Sequence, residues 1–408
     1  MTKFPRASLF LAIAVLSAYL SAACGVIRGL TPAKTTAPAI PTQTAALPTV
    51  LPTPTARLSG EIGRTLDDLI EKSYPLFSGS VLVARRGEIL LSKGYKYANW
   101  ELESPNTPHT KFRIASLTKA FTAAAILQLQ EQGRLNIQDP IYAYLESCPP
   151  PSPAFTDQGV SWQDITIHQL LTHTSGIPEY TTLPGALEQA GFHHTHAELI
   201  AAFQDEPLLF SPGERYSYSN SNYVLLGAIV EGVSRSSLED YLTRHILIPL
   251  GMKDSGVDQQ GSVLKQRAAG YNIVGRTFVN AYYIDISNAF AAGDMYSTVE
   301  DLYRWDQALY SDLILSSESR AAMFTPHPPP GNPLERVAAD GNYGYGWEIG
   351  EFAGHRMISH AGSLPGFHAL LERFPDDYVT IIILSNIQTS DVQALAGDLA
   401  AILFSNSD

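Results

Sequence analysis

The sequence predicts an α/β fold of the α+β type: an antiparallel sheet built from both ends of the folded body, flanked by helices, with a mostly helical second lobe. Three observations carry this expectation. Strand-like segments stand near the start of the body, at 78–84 and 88–95. Four more follow near the end, at 348–352, 356–360, 367–374 and 378–385. Between the two groups the apolar spacing is mostly helical.

The N-terminus carries a targeting pattern. Lys3 and Arg6 precede an apolar run at 9–20, followed by Ser21-Ala22-Ala23-Cys24. This reads as a signal peptide over 1–23, since the run is short for a membrane span of roughly 20 residues. Small residues before a cysteine fit lipidation at Cys24, although Leu20 lies one place early and Ser21 takes the usual Leu position. Plain secretion with cleavage near Ala23 is the alternative. Both readings expect an extracytoplasmic protein, either lipid-anchored to a membrane or secreted. Residues 24–57 are rich in Pro, Thr and Ala and read as an extended tether. The folded domain is expected over 58–408.

Within that body, 62–72 predicts a helix with Ile62, Leu66, Leu69 and Ile70 on one face. Arg86-Gly87 makes the turn between the first two strands. A long apolar helix is expected over 116–132, ended by Gly133. Further helices are expected at 167–171, 195–203 and 223–233, with Pro-rich breaks at 149–153. A helix over 392–404 closes the chain.

Composition narrows the function. The chain has 408 residues and a formal net charge of -13, without a basic run, which excludes the usual footprint of a nucleic-acid binder. Its two cysteines, Cys24 and Cys148, leave Cys148 as a half-buried spectator thiol, and no Cys/His spacing predicts a metal site. P-loop, dinucleotide, Gly-x-Ser-x-Gly and His-Glu-x-x-His motifs are absent from the sequence. No cofactor is expected.

The chemistry-bearing candidates come in three pieces. In Ser116-Leu117-Thr118-Lys119, positions i and i+3 of a helix share a face, so Lys119 can reach the Ser116 hydroxyl. A serine needs a base, and lysine serves only when burial lowers its pKa from about 10.4. The apolar stretch at 121–127 supplies that burial, and free N–H groups at the helix start favour an oxyanion. The plain alternative makes Ser116 an N-cap with Lys119 in solvent. Ser262 and Lys265 share the spacing but lack the apolar helix. Tyr218-Ser219-Asn220 offers a proton-transfer tyrosine and an amide to hold substrate and lysine. Tyr97 and Asn99 match the same pattern. At His360-Ala361-Gly362-Ser363, placed at a strand end, Gly362 would let substrate approach the backbone and the Ser363 N–H would be a second oxyanion donor; the plain alternative is a strand-end turn with an incidental histidine.

In this order the pieces resemble the serine β-lactamase and penicillin-binding family, above all its class C branch with DD-peptidase and esterase relatives. Phe112-Arg113-Ile114-Ala115, the 170–176 segment, Pro212-Gly213, Gly344-Tyr345-Gly346-Trp347 and the 360–367 segment add to the likeness. The resemblance implies a β-lactamase/transpeptidase-like fold and an acylated Ser116. Lys119 and Tyr218 would share proton transfer, and Asn220 would position Lys119 and substrate. The N–H groups of Ser116 and Ser363 would form the oxyanion hole. His360 stands where β-lactamases of this branch carry lysine. A mostly neutral histidine weakens carboxylate recognition and shifts the expectation from β-lactamase towards esterase, DD-peptidase or D-aminopeptidase. The expected substrate is a small molecule or a peptide, a cell-wall peptide included, and the expected state is a monomer. The rival is a tethered penicillin-binding or sensor module that is acylated without turnover.

His193, His194 and His196 match no common zinc spacing, and Thr195 reads as a helix cap. His173 reads as a structural loop histidine. Trp305 and Trp347 read as core or pocket wall.

Overall fold

The computed structural model describes residues 56–145, 162–275, 277–329 and 342–405. The expected signal peptide, Cys24, most of the expected tether and Cys148 lie outside them. Alternation of β-branched and aliphatic residues at both ends of the body produces one seven-stranded sheet. Its strands are β1 (Arg57–Leu58), β2 (Gly79–Arg85), β3 (Glu88–Tyr95), β4 (Glu348–Phe352), β5 (His355–Leu364), β6 (Phe367–Phe374) and β7 (Val379–Ser385). The order is β1-β3-β2-β7-β6-β5-β4, and every pairing is antiparallel. The first strands thus join the last through β2 and β7, as the two strand-rich ends predicted. Arg57, assigned to the tether by composition, already pairs with Ser92 in the sheet.

Because side chains alternate across a strand, the central strands feed two cores. Val81, Val83, Ile381 and Ile383 face one core with α1 (Gly60–Ser73) and the closing helix Val392–Ser405. Leu82, Ala84, Ile382 and Leu384 face the other, with α2 (Thr118–Glu131) and the helical lobe. Every residue of α2 from Thr118 to Leu129 is buried, as befits a helix that is apolar on all sides. At its end Gly133 takes a φ of 68°, and the Arg134 N–H donates to the Leu129 carbonyl, the expected stop.

One buried carboxyl makes stability depend on pH. Glu372 of β6 pairs in register with Ser359, which pairs with Glu348 across β4. Burial, then the Glu348 carboxylate, raises the Glu372 pKa from 4.5 to about 7. The folded state therefore holds a proton that the unfolded chain releases above pH 4.5. The stabilising contribution is complete below that pH and is lost as pH rises towards 7. Glu372→Gln should be more stable than the parent by about 3 kcal/mol near pH 8 and about equal near pH 4, as read by urea unfolding.

Candidate active site

The nucleophile turn forms where a short strand meets α2. Phe112–Arg113 pairs with Met295–Ser297, and the Ile114 N–H donates to the Met295 carbonyl at 3.0 Å. Ala115 then takes a φ of 50°, a conformation that side-chain-bearing residues rarely adopt. A 3-10 turn over Ala115–Leu117 follows, and the α-helix begins at Thr118. The helix expected from 116 thus starts two residues later. Ser116 caps neither element; from Ile114 to Leu129 it is the single residue not fully buried.

Lys119 is completely buried. Its Nζ lies 3.0 Å from Ser116 Oγ, 2.7 Å from Asn220 Oδ1 and 2.9 Å from the Ala292 carbonyl. Burial lowers its pKa from 10.5 to about 7, while the Glu179 carboxylate acts in the opposite direction. The geometry suits a neutral amine. Its two N–H bonds go to Asn220 and Ala292, which only accept, and its lone pair is left for the Ser116 O–H.

Tyr218 approaches the same hydroxyl, and its own hydroxyl interacts with that of Ser116. Lys119 Nζ stands 4.9 Å from the centre of its ring. The residue is half-buried, and burial of its hydroxyl pushes the phenol pKa well above 10. Tyr218 is therefore a phenol that can donate a proton. His173 supports it with ring centroids 4.3 Å apart. The His173 Nδ1 accepts from the Ser219 N–H and from Asn222 Nδ2, both at 3.2 Å, which makes it the structural loop histidine expected.

Asn220 is the first residue of α3 (Asn220–Ser234), three residues before the expected start. The Asn220 N–H donates to the Glu179 carboxylate, which also accepts from Thr181. Glu179 is thus a cap supplied from 41 residues upstream. Glu179, the Ala292 carbonyl and the Ala115 turn are site features absent from the sequence-based expectation.

His360 departs from expectation in place and environment. It lies within β5, which runs on to Leu364, rather than at a strand end. It is 2% exposed, and it does not line the cavity above Ser116. Its Nδ1–H donates to the Ala361 carbonyl at 2.6 Å, so its Nε2 accepts from the Tyr343 hydroxyl at 2.8 Å. Burial, then Lys119, lowers its pKa to about 3. The residue is neutral over the physiological range and holds Tyr343 rather than a substrate carboxylate.

Beyond Ser359, β5 has outrun β4 and lies against the nucleophile turn. A Cβ on Gly362 would stand 2.3 Å from the Ile114 carbonyl and 2.9 Å from the Ser116 nitrogen. Ser116, Asn220 and Ser363 share the wall of one cavity of about 610 Å³. The two residues expected to supply the oxyanion donors, Ser116 and Ser363, thus lie on one cavity wall. Gly362→Ala should push β5 off the turn and slow acylation by about 10²–10³-fold, the effect of losing an oxyanion donor. Stopped-flow acylation with a chromogenic ester reads it.

The remaining candidates are not brought to this centre. Ser262 bonds to Gln259 on the surface, and Tyr97 and Asn99 share a short strand. His193 faces Asp285, His196 bonds to Glu231, and Thr195 caps its helix in a capping box with Glu198. His194 lines the cavity. Trp305 and Trp347 are buried core.

Known proteins are similar to this chain in sequence and fold. The Beta-lactamase family model matches residues 66–404. A protein of Bacillus subtilis named as a penicillin-binding protein, PbpX, is 34% identical, over 82% of this chain and 78% of its own length. The solved penicillin-binding protein of Bacillus halodurans superposes with a TM-score of 0.70 at 26% identity, covering 83% of this chain and 99% of that one. The D-amino acid amidase of Ochrobactrum anthropi shares the fold, with a TM-score of 0.72 at 23% identity, over 86% of this chain and 100% of that one. With the match spanning nearly all of the folded body, and a buried lysine and a tyrosine gathered at Ser116, the chain belongs to the Beta-lactamase family of serine hydrolases.

Proposed function

We propose that the chain hydrolyses esters or amides through an acyl-enzyme on Ser116. The observation that carries this is the Lys119 amine, buried, 3.0 Å from the Ser116 hydroxyl, and lowered by burial to a pKa of about 7. Ser116 Oγ adds to the substrate carbonyl as Lys119 takes its proton. The N–H groups of Ser116 and Ser363 hold the oxyanion. Tyr218 protonates the departing alcohol or amine and regains a proton from the Lys119 ammonium. Water then adds to the acyl-enzyme, giving a proton to the Lys119 side, and Ser116 leaves as the hydroxyl. Asn220 holds Lys119 throughout.

Lys119 as base fixes the pH dependence. Acylation should rise as its ammonium loses a proton around pH 7 and then level off, because the Tyr218 phenol stays protonated well above 10. Steady release of p-nitrophenol from p-nitrophenyl acetate, lost in Ser116→Ala, supports the hydrolase. A single stoichiometric burst without further release would instead favour an acylated module that does not turn over.

A further inference from the structure

The cavity above Ser116 has a volume of about 610 Å³, room for a substrate group larger than the reacting carbonyl. Leu183, Leu187, Leu199, Ala202, Tyr282 and Ile284 form much of its wall. They come from two segments, 183–202 and 282–293, that hold none of the catalytic side chains. Leu187 and Tyr282 are 71% and 56% exposed. Large apolar side chains left open around a catalytic cavity are surface that a bound apolar group would cover.

The charges around the cavity point the same way. Among the described residues, no lysine or arginine lines it, and the one acid there is Glu198. Glu198 accepts from the Thr195 N–H and hydroxyl, which hold its carboxylate ionised and in place. Lys119 is buried beneath Ser116 and committed to three partners. The Arg113 guanidinium is tied to Asp258 and Gln260. His360 uses both ring nitrogens within the protein. Among the described residues, a carboxylate entering this cavity would lose water, meet no lysine or arginine and face Glu198, with His194 as the one basic side chain on the wall.

We infer that the cleft selects neutral esters or amides of apolar acids, of aromatic or medium-chain size, and discriminates against substrates that carry a free carboxylate. This rests on the acyl-enzyme reading of Ser116 and names its substrate class.

The test compares three p-nitrophenyl esters on the full chain: acetate, hexanoate and the monoester of adipic acid, which matches hexanoate in length but ends in a carboxylate. Rates are corrected for spontaneous hydrolysis. The expected kcat/KM is about tenfold higher for hexanoate than for acetate, and about 10²-fold lower for adipate than for hexanoate. Leu187→Asp should shrink the hexanoate-over-acetate ratio, and Glu198→Gln, which keeps the helix cap, should shrink the hexanoate-over-adipate ratio. Adipate turned over as well as hexanoate, in a Ser116-dependent way, would overturn the substrate class alone. No turnover of any ester, together with no fluorophosphonate adduct on the protein, would overturn the acyl-enzyme reading and this inference with it.

Discussion

Lys119→Met should slow acylation of Ser116 by about 10³–10⁴-fold while the protein stays folded. A serine hydroxyl attacks slowly unless a base within reach accepts its proton. Lys119 Nζ is the basic atom bonded to Ser116 Oγ. A 10³-fold loss corresponds to about 4 kcal/mol of transition-state stabilisation. Stability should move by less than about 2 kcal/mol, because two effects offset. Burying an amine whose pKa falls from 10.5 to about 7 is costly at neutral pH, and Met removes that cost. Met also strips Asn220 Oδ1 and the Ala292 carbonyl of their donor, at about 1–3 kcal/mol each. Single-turnover kinetics and urea unfolding on the same variant separate the chemical loss from unfolding. The variant should also lose the rise in rate around pH 7.

Tyr218→Phe should cost about 10²–10³-fold, chiefly with poor leaving groups. The phenol lies against Ser116, with Lys119 Nζ 4.9 Å from its ring centre, and burial holds its proton on. Such a group serves as proton donor to a departing alkoxide or amine. An activated p-nitrophenolate leaves without help, so the deficit should be small for nitrophenyl esters and large for alkyl esters or amides. Equal deficits for both leaving groups would assign Tyr218 to positioning instead.

The legibility of this site in the sequence follows from how local each signal is. Ser116 and Lys119 stand one helical turn apart, and the apolar run behind them tells of burial, so pair and environment are both readable. The strands at the two chain ends were readable from alternation, and the sheet joins them as expected. The start of α3 was not readable: Ser219 supplies no side-chain cap, and the cap comes from Glu179, distant in sequence. The Ala292 contact is a backbone carbonyl and leaves no residue signature. His360 looked like a substrate ligand because motif position says nothing of depth. Its burial depends on Tyr343 and on the neighbouring β6, which only the fold assembles. The cavity wall likewise comes from two segments that share no local pattern.

Locating the acylated residue tests the central claim most directly. After reaction with a fluorophosphonate, peptide mass spectrometry should place one adduct on Ser116, and Ser116→Ala should leave the chain unlabelled. An adduct on Ser262, whose spacing to Lys265 is the same, or labelling that survives in Ser116→Ala, would contradict the account.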